Sequence, residues 1–310
     1  MRIAVMGTGG TGGYYGGLLA RAGDDVTFIA RGGHLDAIRA RGLTVKSRLA
    51  GDFTIPARAT ADPSEIGNVD LVLFCVKTYD TEAAAALIRP AVGPHTVILS
   101  LQNGIDNAER IARVLGRGTA ICAAAQVNAH ITEPGVVAQT AGVGRLIFGA
   151  DAGNLGQRNE WLFQHCKDAG IAAELQPDID VVLWSKFVFI CGFSGVTALT
   201  RLTIGPILAC RETTELFRET MAEVVAVAAS QEVTLSGAVS DQALSMAGRL
   251  EPWARGSLAH DLASGRRLEL ESLNGTVVRL GQAKGVPVPH NFAIYAALKP
   301  FVDGPPQEPR

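Results

Sequence analysis

Several common signatures are missing from this chain of 310 residues. Its five cysteines, at positions 75, 122, 166, 191 and 210, include no C-x-x-C pair, and His130 and His165 have no ligand-spaced partners. A bound metal is therefore not expected. Neither sign of charge is in excess. With 28 Lys and Arg against 30 Asp and Glu, the net charge of −2 gives no reason to expect nucleic acid or an acidic membrane as partner. A local basic pocket can still sit inside a neutral total. No basic segment, apolar stretch and cleavage site precede the first strand, so no export signal is visible. The most apolar later stretch, Val181 to Val196, is short for a bilayer span and is interrupted by Ser185, Lys186, Gly192 and Ser194. It reads as a buried helix. Together these absences point to a cytoplasmic protein with free thiols and no membrane partner. No internal repeat or low-complexity block stands out.

What is present is an ordinary globular composition, 47% hydrophobic and 19% charged, with 35 glycines. The length suits two domains. The first half alternates β-branched runs with amphipathic segments, the pattern of a parallel sheet covered by helices. Strands are expected at Arg2–Met6, Val26–Ile29, Val69–Cys75, Val97–Leu99 and Ala120–Ala124, with helices near Gly13–Arg21, His34–Arg41, Thr81–Ile88 and Asp106–Leu115. Two hairpin-like pieces interrupt them: Leu43–Pro56, and Gly135–Thr140 followed by Arg145–Phe148 after a glycine-containing turn. Beyond Leu175-Gln176-Pro177-Asp178 strand signals vanish and apolar-periodic segments take over: Ile179–Leu199, Glu212–Glu232, Ser240–Leu250, Glu269–Lys284 and His290–Leu298. The expectation is an α/β Rossmann-type domain over residues 1–176 and an all-α domain over 177–310. The Pro-rich tail from Asp303 to Arg310 reads as disordered.

Gly7-Thr8-Gly9-Gly10-Thr11-Gly12 fits G-x-G-x-x-G directly after a strand and at the start of a helix. In that context the first glycine permits a tight turn, and the second lets backbone N–H groups approach a pyrophosphate. The third lets helix and strand pack closely. Gly13, Gly16 and Gly17 extend the run and read as packing glycines. An NAD site wants a carboxylate at the end of the second strand to accept from the ribose 2′-hydroxyl. Here that strand ends in Ala30-Arg31, while Asp24 and Asp25 lie at its other end. A guanidinium there suits a 2′-phosphate, which favours NADPH over a solvated surface arginine.

Between Asp180 and Arg201 the only charged residue is Lys186, set in Trp184-Ser185-Lys186-Phe187-Val188-Phe189-Ile190-Cys191. A desolvated ammonium there would have a lowered pKa useful for proton transfer. The alternative is a lysine with its stem on the surface and its head in water. Arg266-Arg267-Leu268-Glu269-Leu270-Glu271, opening another helix, offers a carboxylate partner, and spacing does not choose between Glu269 and Glu271. Lys77 and Asn103 follow strands where open sheets place ligands, although each also fits a cap or a turn.

These pieces resemble the ketopantoate reductase (2-dehydropantoate 2-reductase) family along nearly the whole chain. The resemblance rests on Gly7–Gly12, Arg31, Cys75-Val76-Lys77-Thr78, Leu101-Gln102-Asn103-Gly104-Ile105 and Thr132-Glu133-Pro134-Gly135-Val136-Val137. It continues through Leu183-Trp184-Ser185-Lys186, Gly265-Arg266-Arg267-Leu268-Glu269 and Val286-Pro287-Val288-Pro289-His290-Asn291. It implies NADPH-dependent reduction of a small 2-oxo acid to a 2-hydroxy acid in a cleft between the two domains. By position Lys186 matches the catalytic lysine and Glu269 its supporting carboxylate. Asn103 and Lys77 match residues near nicotinamide and cofactor, and Ser257 a substrate-contacting serine. Hydride addition builds negative charge on the carbonyl oxygen, which an ammonium stabilises and protonates.

The chain departs from the pattern where the family often has asparagines, at Ile190 and Ser194. These positions share a helix face with Lys186 and are expected to line the substrate pocket. It departs again at Ala254, three residues before Ser257. The resemblance implies ketopantoate as the substrate, reduced to pantoate; losing amide donors and gaining Ile190 points to the alternative of a more apolar, branched-chain 2-oxo acid. Competing readings are a hydroxy acid dehydrogenase of different substrate and a non-catalytic NADPH-binding protein, the second disfavoured by retention of both Lys186 and Glu269. FAD is disfavoured because no flavin-contacting signature is visible. Exposed apolar surface on the helical domain would be compatible with a homodimer.

Overall fold

Every residue of Arg2–Met6 except Arg2 is buried, the mark of a strand covered on both faces, and this segment forms β1, an inner strand of a ten-stranded sheet. The computed structural model describes residues 1–116, 120–149 and 154–306, without the side chains of 154–157. The chain divides into two compact units, Met1–Ile179 and Asp180–Arg310.

In the first unit the other strands are β2 (Asp25–Ile29), β3 (Leu43–Ser47), β4 (Phe53–Ile55), β5 (Arg58–Thr60), β6 (Val69–Phe74), β7 (Val92–Ser100), β8 (Ala120–Glu133), β9 (Val136–Gly149) and β10 (Ala172–Gln176). Their order is β4-β3-β9-β8-β7-β6-β1-β2-β5, with β10 pairing the later part of β9. All neighbours are parallel except β3–β4 and β8–β9. Helices α1 (Gly10–Arg21), α2 (Gly32–Arg41), α3 (Thr81–Ile88), α4 (Asn107–Leu115) and α5 (Asn154–Asp168) complete the unit.

The period of two along each central strand sorts its side chains into two cores. Ile3, Val5, Leu71 and Leu73 join Tyr15, Leu18 and Leu162 on one face, under α1 and α5. Ala4, Met6, Val72 and Phe74 join Ala85, Ile88 and Ile111 on the other, under α3 and α4. The result is the Rossmann-type α/β architecture expected from the sequence.

The second unit is helical: α6 (Ile179–Thr200), α7 (Ile204–Ala209), α8 (Arg211–Ser230), α9 (Val239–Gly248), α10 (Ser257–Ala263), α11 (Asn274–Lys284) and α12 (Pro289–Leu298). α6 has the length and hydropathy to cross a membrane, yet 61% of its apolar window is buried inside the protein. At Gly192 it packs closely on α8, where a Cβ would stand 2.5 Å from the Phe217 ring. Glu223 of α8 accepts from the backbone N–H of His290 (2.7 Å) and of Asn291 (2.8 Å), capping the start of α12. Asn291 Oδ1 in turn accepts from Asn274 Nδ2 at 2.9 Å, so the Val286–Asn291 motif serves the helical core.

Four local expectations need correction. Gly135–Thr140 and Arg145–Phe148 are one strand, β9, not two arms of a hairpin. Gly142 (φ +82°) and Gly144 (φ +65°) mark irregular pairing with β8 instead of a turn, and the true reversal is Pro134-Gly135. Glu269–Lys284 is not one helix. A 3₁₀ turn, Glu269–Ser272, is separated from α11 by Leu273 at φ −108°, ψ −109°. The tail is ordered as far as Pro306, since Leu268 N–H donates to the Val302 carbonyl at 2.9 Å and Arg267 pairs with Asp303 at 3.1 Å. The expectation for 307–310 lies outside the described residues. Finally, α5, α7, α10, β5 and β10 were not foreseen; all but α5 are too short for periodicity to register.

Candidate active site

The glycine-rich segment turns at Gly7, whose φ of +97° favours glycine and where a Cβ would stand 2.8 Å from the Val76 amide nitrogen. At Gly12 a Cβ would lie 2.3 Å from the Gly7 carbonyl oxygen and 2.9 Å from Val5, so α1 can descend onto β1 only with glycine there. Gly9 differs from both. It is the extended N-cap of α1, no side chain caps the helix, and nothing lies within 4 Å of the place its Cβ would occupy. A helix N-terminus with unpartnered amides beside an open glycine fits the pyrophosphate of a dinucleotide.

Thr8 serves the loop in another way. Its N–H (3.1 Å) and hydroxyl (2.9 Å) both donate to the Ile29 carbonyl, pinning the loop to the end of β2. Thr11 is half-buried in the first turn of α1. Gly10 carries a constraint that sequence reasoning missed. A Cβ there would overlap the Ala129 carbonyl oxygen at 1.9 Å, because β8 crosses directly over the start of α1. Just beyond β2, Arg31 is exposed and forms the extended N-cap of α2.

Lys77 and Asn103 reach the same end of the sheet. Cys75 N–H donates to Met6 (2.8 Å) and Leu101 N–H to Phe74 (3.0 Å), which brings the chain after β6 and after β7 up to the glycine loop. Gln102, buried at 7% exposure, ties these segments together. Its amide donates to the Val76 carbonyl (3.0 Å) and the Thr81 hydroxyl (2.9 Å). This positioning role was not foreseen, although a glutamine between two strand-end candidates was a usable signal. Asn103 uses its carbonyl to accept from Asn107 Nδ2 at 2.9 Å. Its side chain and Lys77 are both half-buried.

In the helical unit Lys186 sits on α6 among buried Leu183, Trp184, Phe187 and Val188. Burial lowers its ammonium pKa from the usual 10.5 to about 8, and the Glu269 carboxylate opposes that fall. The two glutamates are now distinguishable. Glu269 is buried at 7% exposure, whereas Glu271 is committed to a more exposed network with Lys299, Arg279 and the Tyr295 hydroxyl. Ile190 is half-buried one turn beyond Lys186. Ser194 is 3% exposed and lies beneath Gly256, where a Cβ would meet the Ser194 Cα at 2.4 Å. Gly256 N–H donates to the Thr197 hydroxyl at 3.1 Å, which fixes the exposed Ser257 at the start of α10.

A Rossmann-type unit with an uncapped glycine-rich helix start, followed by a helical unit holding a lysine and a buried carboxylate, defines the frame of a dinucleotide-dependent oxidoreductase. The chain belongs to the ketopantoate reductase family. The family description "Ketopantoate reductase PanE/ApbA" matches residues 3–153 and its C-terminal counterpart residues 178–302. A 2-dehydropantoate 2-reductase of Halobacterium salinarum is 33% identical over 292 residues, covering 93% of this chain and 95% of its own. The crystal structure of a PanE/ApbA family ketopantoate reductase from Ralstonia eutropha superposes with a TM-score of 0.90 at 35% identity, covering 97% of this chain and 98% of that one. D-mandelate dehydrogenase, solved with NADH and anilino(oxo)acetate, shares the fold at a TM-score of 0.88 and 19% identity, covering 97% and 98% of the two chains.

Proposed function

We propose that this chain is an NADPH-dependent 2-oxo acid reductase that converts ketopantoate (2-dehydropantoate) to pantoate. The observation that carries the reading is Lys186, the one cation of an apolar helix, within electrostatic reach of the buried Glu269 carboxylate in a member of this family. Bound at the glycine-rich loop, NADPH supplies the hydride that adds to C2 of the 2-oxo acid. Lys186 Nζ stabilises the charge growing on the carbonyl oxygen and then gives it a proton, leaving a neutral amine that solvent reprotonates. Glu269 keeps the lysine charged and oriented. Gly7–Gly12 receive the pyrophosphate, Arg31 pairs with the 2′-phosphate, and Lys77 and Asn103 contact the cofactor near its nicotinamide end. On the helical unit Lys186, Ile190 and Ser257 form the substrate side, while Ser194, expected there from its helix face, is buried beneath Gly256 and supports the segment that carries Ser257. The first unit thus acts as the NADPH-binding domain and the helical unit as the substrate domain.

Ile190 supports a second reading, in which the preferred substrate is a branched-chain 2-oxo acid without the hydroxyl of ketopantoate. An apolar side chain one turn from Lys186 offers a substrate hydroxyl no partner. NADPH oxidation across a panel of 2-oxo acids, repeated with NADH, tests both. Turnover of ketopantoate with NADPH preferred supports the first reading; a higher kcat/KM for branched-chain acids supports the second. Turnover of no 2-oxo acid, or unchanged turnover in Lys186→Ala, would overturn both.

A further inference from the structure

A cavity of about 180 Å³ opens in the helical unit between the end of α6, α10 and the ordered C-terminal segment. Three arginines, Arg201, Arg255 and Arg266, each exposed to solvent, are among the residues that line it, together with Leu262, Phe301 and Pro305. It contains none of the residues of the proposed reductase site. Along α6, position 197 in its wall is about 16 Å from position 186 at 1.5 Å of rise per residue.

The charge in this cavity is largely uncompensated. Arg266 has a carboxylate near it, Asp261 Oδ1 at 3.6 Å. Among the described residues no carboxylate lies within ion-pair distance of Arg201 or Arg255, and the Arg201 guanidinium stands over the Phe301 ring at 5.9 Å. Three like charges at the wall of one small space give it a positive potential that attracts an anion. Arg201 also occupies the left-handed region at φ +59°, just past the end of α6, where glycine is the unstrained choice. The strained backbone places the Arg201 side chain beside Phe301 at the cavity wall. The wall opposite is held by the tail, through Gly304 N–H to the Phe301 carbonyl (3.0 Å) and the Arg267–Asp303 pair.

From these features we infer that the cavity is a binding site for a small organic carboxylate with a compact apolar body, separate from the Lys186 centre. Guanidinium groups take the carboxylate through charge-assisted, forked hydrogen bonds, and the aliphatic and aromatic wall takes the hydrocarbon. Arg255 directly precedes Gly256, whose N–H is bonded to Thr197, another residue of the wall. An occupant therefore touches the segment that sets Ser257 at the start of α10. If the reductase reading holds, occupancy would shift the KM for the 2-oxo acid. The binding claim itself does not depend on that reading.

The test is calorimetric titration of the full chain carrying Lys186→Ala, which removes the competing ammonium. The probe is pivalate, with pivalamide as its neutral isostere and inorganic phosphate as an anion without an apolar body. Pivalate is expected to bind saturably and at least about tenfold more tightly than either control. Arg201→Gly and Arg255→Gln should each weaken it by about tenfold. Arg201→Gly relieves the left-handed strain, so its unfolding midpoint should be unchanged or raised, which separates lost binding from lost folding. The inference fails if pivalate does not bind, if both arginine variants bind it like the parent, or if pivalamide or phosphate binds equally well.

Discussion

Replacing Glu269 by Gln is the sharpest perturbation of the proposed proton donor, because it removes a charge while keeping the side chain's size. Glu269 raises the Lys186 pKa against the burial that lowers it, and the balance stands at about 8. Removing the carboxylate leaves burial unopposed, so the value falls; for a close opposite charge the change is about one unit. The reduction needs the protonated lysine. At about pH 7.5 the protonated fraction then drops from about 0.76 to about 0.24, a loss of about threefold in kcat/KM. At about pH 6 both enzymes are over nine-tenths protonated and the loss nearly vanishes, whereas at about pH 9 it approaches tenfold.

The assay is kcat/KM for 2-oxo acid reduction across that range, which reports the ionisation of the free enzyme. The descending alkaline limb should lie near pH 8 in the parent, move to lower pH in Glu269→Gln, and return towards the parent in Glu269→Asp. A defect of equal size at about pH 6 and pH 9 would refute the electrostatic account. It would reduce Glu269 to a packing residue of the 3₁₀ turn.

Three further outcomes are expected. Gly9→Ala meets open space and should keep the parent's melting temperature while losing affinity for NADPH; Gly10→Ala, whose methyl would overlap the Ala129 carbonyl, should lose stability as well. Thermal unfolding alongside fluorescence titration separates the two, and equal behaviour would remove the reason to place a pyrophosphate at Gly9. Arg31→Ala should raise the KM for NADPH by about tenfold to a hundredfold and leave that for NADH nearly unchanged, as loss of a charge-assisted phosphate contact requires. Ile190→Asn should raise kcat/KM for ketopantoate relative to 3-methyl-2-oxobutanoate, with no change expected in NADPH affinity. An unchanged ratio would take position 190 out of the substrate pocket.

The parts of this protein that could be read from its sequence are those whose physical cause is local. G-x-G-x-x-G between a strand and a helix carries its own geometry, and a single cation in an apolar helix stands out whatever surrounds it. What could not be read depends on partners far along the chain. Gly10 could be read only as part of the cofactor loop, because the carbonyl that forbids its side chain belongs to β8. Gly142 and Gly144 looked like a turn because positive-φ glycines serve irregular strand pairing and reversals alike. Glu269 and Glu271 looked equivalent because only the tertiary structure buries one and gives the other to Lys299, Arg279 and Tyr295.

Helix α6 shows how one element can combine packing, ionisation and positioning. Its uniform apolarity buries it between neighbours, and that burial lowers the pKa of Lys186. Gly192 lets Phe217 and Met221 approach closely, and Gly195 does the same for Asn274 and Ile294. The helix axis is thereby fixed against α8, α11 and α12. A helix so constrained presents Lys186 near one end and Thr197 near the other with little freedom to rotate. The Thr197 hydroxyl, already accepting from Gly256, then sets where α10 begins. The glycines and the lysine are thus parts of one arrangement. Enlarging Gly192 should force α6 away from α8 and lower the melting temperature, because a Cβ there would stand 2.5 Å from the Phe217 ring.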